Sequence, residues 1–236
     1  MNNIIIKKPS QHHRNRQWHN WLVYDLNDQF LLKYANFYQG VLYDLGCGES
    51  PYQPFISQFI KQYVGVDWAS SNHATKETIL ANLNETLPLE SAIADSVISL
   101  SVIEHLYNPQ TMLNEAFRLL KPNGTIVLQV PWQWRIHEAP HDYFRYTPYA
   151  LKHMFEKAGF KDVNIEAQSG FFTAWILKLN YFSLNFIRGP KLLRKIIKFC
   201  FALMWYLGQK SAPWLDKLDR NWQAETIGFF VTAKKP

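Results

Sequence analysis

The chain has 236 residues, 47% hydrophobic and 19% charged, an ordinary globular balance with room for one sizeable core. Two distant cysteines argue against a disulfide scaffold, and no apolar run reaches the roughly 18 residues that a membrane-spanning helix needs. The formal net charge of +6 suits either a solvated basic surface or attraction to an anionic membrane, a phosphorylated substrate or a nucleic acid, and charge alone does not choose among them.

Residues 1–16 are polar and basic and read as a loose arm. Their apolar run, Ile4 to Ile6, is too short for a secretory leader. With the sparse cysteines this sets an expectation of a cytoplasmic protein, with the inner face of the membrane as a variant. Trp18, Trp21, Leu22, Leu26, Phe30, Leu31, Tyr34 and Phe37 recur mostly at three- and four-residue steps, which predicts one or two packing helices over 18–39.

The pattern then changes. Val41–Leu45 predicts a buried strand running into a tight turn at Gly46 and Gly48, and Pro51 suits the first turn of a following helix. Further strands are predicted at Tyr63–Asp67, Ile79–Ala81, Val97–Ser101, Thr125–Val130, Val163–Ala167 and Ile227–Ala233. Helices are predicted over Pro109–Lys121 and after Thr147, a good N-cap, as far as Gly159. This alternation predicts a Rossmann-like α/β fold: a seven-stranded, mostly parallel sheet with helices on both faces. Residues 1–39 form an N-terminal arm and helical segment. Residues 40–170 with 223–236 form the sheet domain, and 171–222 form an aromatic, helical insertion before the last strand.

In such sheets ligands bind at the C-terminal ends of the strands, near the reversal of strand order. Asp44-Leu45-Gly46-Cys47-Gly48 sits at one of these ends. The dinucleotide fingerprint G-x-G-x-x-G fails, because Pro51 stands at its third glycine. The D-x-G-x-G pattern resembles that of class I methyltransferases. Asp67 at the end of the second strand, Ala81 to Pro88, Ser101 to Leu106 and Arg118 to Gly124 extend the match over roughly residues 40–168, and it returns at 226–233. The resemblance implies S-adenosylmethionine as cofactor. It puts Asp44, Gly46 and Gly48 at the glycine turn, Asp67 on the ribose hydroxyls, Asn82 and Leu83 at the adenine, and Ser101 at the methionine end. Asn82 stands where the family commonly has an aspartate.

Methyl transfer is an in-line displacement, so the protein must align an acceptor and, for a hydroxyl, remove its proton. Residues 131–147 hold the densest polar cluster of the chain. His137-Glu138-Ala139-Pro140-His141 has the letters of a zinc-protease motif, but Pro140 inside the required helix would cost about 3 kcal/mol, so no metal is expected. The string from His137 to Leu151 resembles a methyltransferase subgroup associated with sugar and polysaccharide synthesis. That resemblance implies a glycan or other small-molecule acceptor. It suggests His141 as base, oriented by Asp142 or Glu138, with His137 as second candidate. Arg135 and Arg145 would hold an acceptor anion, with His105, Trp132 and Tyr143 on the same side. The bland alternative is a rigid lid whose polar groups satisfy one another.

The insertion interleaves aliphatic, aromatic and basic residues over 171–207, which suits a helix lying on an anionic membrane, a cap over the site, or a homodimer face. No N/D-P-P-Y string or nucleic-acid module occurs, so no nucleic-acid partner is expected. Quinone- or lipid-type methylation and non-catalytic cofactor binding are the competing readings.

Overall fold

The computed structural model describes residues 6–68, 79–219, 221 and 224–236. Its sheet holds β1 (Val41–Leu45), β2 (Gln62–Asp67), β3 (Ile79–Leu80), β4 (Ala94–Leu100), β5 (Leu120–Pro131), β6 (Lys161–Ala167) and β7 (Gly228–Lys234), in the order β3-β2-β1-β4-β5-β7-β6. The pairs β2–β3, β1–β2, β1–β4 and β4–β5 are parallel, and β7 runs antiparallel between β5 and β6. Strand order therefore reverses between β1 and β4, which opens a crevice at the C-terminal end of β1.

Six helices accompany the sheet among the described residues: α1 (Trp21–Lys33), α2 (Gln53–Ile56), α3 (Pro109–Leu119), α4 (Pro148–Ala158), α5 (Phe171–Ser183) and α6 (Lys191–Asp216). The capping residues act as their chemistry predicts. Thr147 Oγ1 accepts from Ala150 N at 3.2 Å, and Gly159, at φ +105°, ends α4. α3 stops two residues before the predicted Lys121, because Leu120 turns extended and pairs with Ala94, so β5 starts five residues earlier than its apolar run. Both faces of the sheet are covered. Leu45, Val97, Ile126 and Leu128 pack against Met112 and Leu113 of α3 and Phe155 of α4. Leu42, Ile98, Val127 and Phe230 pack against Leu31 of α1 and Phe55 of α2.

The arm is not loose over residues 10–16. Ser10 is fully buried, and its N–H and hydroxyl both donate to the Asp28 carboxylate at 2.8 Å. Arg16 pairs with Asp25 at 2.6 Å, and His13 packs on the rings of Tyr24 and Tyr52. Hydrogen bonds to a charged group contribute about 1.5–3 kcal/mol each, so a polar segment holds its place without an apolar pattern to announce it.

The insertion docks through its inner faces. Asp216 of α6 accepts from Gly170 N, Thr173 N and Thr173 Oγ1, which satisfies the open N–H groups where α5 starts. Ala174 and Leu177 of α5 and Ala212 of α6 bury against Leu22 and Leu26 of α1. Gln209 accepts from Leu22 N and donates to the Trp18 carbonyl. The first half of α6 stands outside this unit, with Leu192, Ile196, Phe199 and Leu203 exposed. No helix among the described residues is long and apolar enough to cross a membrane.

Candidate active site

The turn after β1 is fixed from β2. Gly46 N and Cys47 N both donate to the Val66 carbonyl, at 2.8 and 3.2 Å. Gly48 N donates to Asp67 Oδ2 at 2.7 Å, and Trp68 N donates to Asp67 Oδ1 at 2.6 Å. Gly46 has φ +84°, and a Cβ there would stand 2.4 Å from Val102 Cγ2, so the turn presents bare backbone at that point. Asp44 is buried beside it and accepts a hydrogen bond from the Tyr63 hydroxyl. Burial pushes the Asp44 carboxyl up to about 7; the Tyr63 bond opposes the rise and the Asp67 charge adds to it.

A cavity of about 730 Å³ opens here, bounded by the glycine turn, Ser101 after β4 and Gln129 of β5. One wall is a chain of amides. Ser101 Oγ donates to Gln129 Oε1 at 2.5 Å, Gln129 Nε2 to Gln168 Oε1 at 2.9 Å, and Gln168 Nε2 to Asn27 Oδ1 at 2.6 Å. The arm closes another side through His13, Arg14 and Asn15, and Tyr181 of α5 closes a third. Arg135 lies over the Tyr181 ring, 5.0 Å from its centre.

Two loops meet at the far side. Glu104 lies on the single turn Ile103–His105 and is fully buried, yet neither carboxylate oxygen has a hydrogen-bond partner among the described residues. His105 Nδ1 lies 2.7 Å from the His141 carbonyl, which can only accept, so this nitrogen carries the hydrogen. Its Nε2 is 3.6 Å from Glu104 Oε1. His137 Nδ1 lies 3.3 Å from the Arg135 carbonyl and 3.4 Å from Asp142 Oδ2, and its Nε2 is 3.7 Å from the same Glu104 oxygen. Burial lowers the His137 pKa, but the Glu104 and Asp142 carboxylates outweigh it, and the net shift is upward. Asp142 accepts a forked pair from Arg145, at 2.6 and 2.8 Å, and a bond from His137 N, which hold it far below the usual carboxylate range.

Of the residues singled out in the sequence, Asp44, Gly46, Gly48, Ser101, His105, Arg135, His137 and Glu138 share the cavity. Asp67 stands behind the turn. Asn82 and Leu83 lie outside the lining, beyond β3. Asn82 Oδ1 accepts from the backbone and side chain of Asn84, its amide donates to Glu85, and Leu83 is buried in the core. The His141 ring is exposed, edge-on to Trp68 and within 3.1 Å of the Tyr143 hydroxyl; only its carbonyl reaches the cluster. Arg145 donates to Asp142 and to the carbonyls of Arg135 and Phe144, while its Nε is buried without a partner among the described residues. Trp132 N donates to Ile227 O at the sheet edge, and Tyr143 N donates to Glu104 O. No helix forms over 137–141, so the zinc-protease arrangement is absent there. Sequence reasoning missed Glu104, Gln129, Gln168 and the arm. For Glu104 a signal existed: a carboxylate among Val102, Ile103 and Leu106, where the flanking residues call for burial.

Residues 43–128 match the family described as Methyltransferase domain. A relative from Mycolicibacterium smegmatis, named a probable S-adenosylmethionine-dependent methyltransferase, is 32% identical over 98 residues, which is 37% of each chain. This chain thus spans little more than a third of that relative. The ubiquinone biosynthesis O-methyltransferase of Cereibacter sphaeroides is 25% identical over 175 residues, 62% of this chain and 71% of that one. Among solved structures, a SAM-dependent methyltransferase from Archaeoglobus fulgidus superposes with a TM-score of 0.59 at 18% identity, covering 89% of this chain and 94% of that one. This likeness shows a shared fold.

Proposed function

We propose, for a chain that carries a class I S-adenosylmethionine-dependent methyltransferase domain, that it binds S-adenosylmethionine over the glycine turn and O-methylates a sugar or polysaccharide precursor. The observation that carries the reading is the adjacency of two sites in one cavity: the Asp44–Gly46–Gly48 turn and the Glu104–His105–His137 cluster.

The residues present fit the cofactor. Each Asp67 oxygen already takes one backbone N–H and keeps further lone pairs, enough to accept from two adjacent ribose hydroxyls. Gly46 carries no side chain, and Val102 fills the position a Cβ would take, so the turn meets the cavity as bare backbone that a ligand can approach closely. Asp44, when ionised, offers a buried negative charge to an ammonium group. Asn82 and Leu83 would meet adenine through backbone groups, since their side chains are engaged. When bound, the cofactor supplies a methyl group already activated on a sulfonium, so the chain has only to orient an acceptor and receive its proton.

The acceptor side is polar. Asn15, Asn20, Asn27, Gln129 and Gln168 line the cavity, and amides both donate and accept, which suits a hydroxyl-rich molecule. Arg14 and Arg135 supply charge for an acidic or phosphorylated part of it. His105 and His137 stand where the acceptor hydroxyl must be oriented and lose its proton. His141 supports that cluster through its carbonyl on His105, and Asp142 through its carboxylate beside His137. Trp132, Tyr143 and Arg145 shape the loop around it. The exposed basic and aromatic half of α6 favours an acceptor presented at an anionic membrane surface, on the cytoplasmic side. A quinone- or lipid-type acceptor is the second reading, favoured by that same face and by the name of the Cereibacter sphaeroides relative.

Calorimetric titration with S-adenosylmethionine and S-adenosylhomocysteine tests the core of the reading. Micromolar binding that weakens by about tenfold or more in Asp67→Ala, a change of about 1.4 kcal/mol, supports it. Failure of the folded protein to bind either ligand overturns it. Transfer of labelled methyl to lipid-linked oligosaccharides rather than to quinols then separates the two acceptor classes.

A further inference from the structure

We propose that Glu104, His105 and His137 hold a divalent transition-metal ion. The ligand atoms are Glu104 Oε1 and the Nε2 atoms of the two histidines. One ligand atom from each residue lies within 4.8 Å of the other two.

Glu104 is fully buried, and both of its oxygens lack a hydrogen-bond partner among the described residues. A carboxylate in that position is strongly unfavourable unless something neutralises it. Both imidazoles point Nε2 at the same Glu104 oxygen, at 3.6 and 3.7 Å. These spans exceed the roughly 2.7–3.2 Å of a hydrogen bond. They suit a shared ion. Nitrogen and oxygen ligands bind zinc-like ions at about 2.0–2.2 Å, which sets neighbouring ligand atoms of a tetrahedral site about 3.4 Å apart.

The outer contacts agree. A metal-bound histidine usually donates its other ring N–H to a carbonyl or carboxylate, which leaves the ligating nitrogen bare. His105 Nδ1 meets the His141 carbonyl, and His137 Nδ1 meets the Arg135 carbonyl and Asp142. Asp142 is held in turn by Arg145. The loop residues that look catalytic in the sequence thus act as a frame for the two imidazoles.

Two imidazoles and one carboxylate favour zinc, manganese, iron or cobalt over magnesium or calcium. Three protein ligands leave coordination positions open, and His105 and His137 both line the cavity. The site is not the one its neighbouring motif suggests: no helix forms over 137–141, and the His141 ring faces Trp68 and solvent rather than the cluster. Occupancy by the ion is independent of the methyltransferase reading; a role in seating an acceptor oxygen rests on it.

The test uses the full chain, stripped with a chelator and shown to be folded by circular dichroism. Zn²⁺ and Mn²⁺ are titrated by calorimetry and Co²⁺ by visible absorption. The expected result is one ion per chain with micromolar or tighter binding, and cobalt bands of a four- or five-coordinate site. Glu104→Gln, which keeps the shape but not the charge, and His105→Ala and His137→Ala each weaken binding by about 100-fold or more. His153→Ala, at an exposed histidine of α4, binds as the parent does. Lack of uptake at millimolar ion, as for a cluster neutralised by protons alone, overturns the proposal. So does uptake equal in all variants, which marks surface histidines. Titration of the metal-free protein with S-adenosylmethionine keeps the two readings apart. Cofactor binding without metal uptake sinks this inference alone, and metal uptake without cofactor binding sinks the other.

Discussion

A methyl group on Gly46 would stand 2.4 Å from Cγ2 of Val102. The glycine turn and the segment after β4 are therefore in contact at the floor of the crevice, and a side chain at 46 must push them apart. Gly46→Ala adds a left-handed backbone strain of about 1–3 kcal/mol to an overpacking penalty of about 1–3 kcal/mol. It should lower the urea midpoint and abolish cofactor binding. The double variant with Val102→Ala should recover the packing share of the stability and leave the strain share, because φ stays at +84°.

Asp44 sets a pH dependence of definite sign. Its carboxyl is pushed up to about 7 in the fold, against 3.8 for the ordinary group. The unfolded chain thus loses the proton first as pH rises. The contribution of Asp44 to stability falls between about pH 4 and 7, by up to about 1.4 kcal/mol per unit, and is flat outside that window. Binding of an ammonium-bearing ligand moves the opposite way, because it favours the ionised carboxylate. Affinity for S-adenosylmethionine should rise between pH 6 and 8, and Asp44→Asn should flatten both curves. A parallel rise in the variant would assign the titration to another group.

His137 and His141 separate by position. The His137 ring lines the cavity beside Glu104, whereas the His141 ring faces Trp68 and solvent. His137→Ala should lower kcat by about 100-fold or more, because it removes a group from the place where the acceptor hydroxyl is oriented and loses its proton. His141→Ala keeps the carbonyl that His105 needs and should lose less than about tenfold. The opposite ranking in steady-state kinetics would mean that the loop rearranges when the acceptor binds.

Arg118 ties the segment after β3 to α3. It forks onto Glu115 at 2.6 and 2.9 Å and donates to the carbonyls of Leu87 and Leu89, while Glu115 accepts from Leu87 N. These bonds hold the Glu115 carboxyl below its ordinary value. Arg118→Ala leaves the buried Glu115 carboxylate without its cation and the Leu89 carbonyl without its Arg118 donor, while Leu87 O keeps the Leu89 N–H, a loss of about 2–4 kcal/mol. Thermal unfolding should shift down accordingly, and cofactor affinity should fall with it because Asn82 and Leu83 precede the clamped residues.

Much of the glycine turn and its support is legible in the chain because it is local. Asp44, Gly46, Gly48 and Asp67 lie at strand ends that periodicity predicts, and the strand-turn-helix order fixes where they point. The amide wall and the Glu104 cluster are less legible, because their groups meet through contacts distant in sequence. Gln129 meets Gln168, Gln168 meets Asn27, and His105 meets the carbonyl of a residue 36 positions away. Nothing in the sequence separates the inward-facing from the outward-facing polar residues of 131–147, and the full burial of Glu104 arises from loops that meet only in the fold. The arm is illegible for a related reason: its anchors are the carboxylates of Asp25 and Asp28, and no hydrophobic period records them.

The first half of α6 carries a row of exposed apolar side chains. Leu192, Ile196, Phe199 and Leu203 follow one another at steps of four, three and four, so they share a stripe, and all four are exposed. Lys191, Arg194, Lys195 and Lys198 alternate with them. A stripe of this kind beside basic residues gains from burying apolar groups among lipid tails and about 1 kcal/mol for each basic group near an anionic surface. The protein should co-sediment with vesicles rich in anionic lipid and not with zwitterionic ones, and the binding should fall as salt rises. Phe199→Asp puts a charge in the middle of the stripe and should weaken binding by about tenfold or more, while thermal stability holds because the side chain touches little of the core. If the stripe joins two copies of the chain instead, the parent protein should run as a dimer in light scattering, and Phe199→Asp should make it a monomer with no change in vesicle binding.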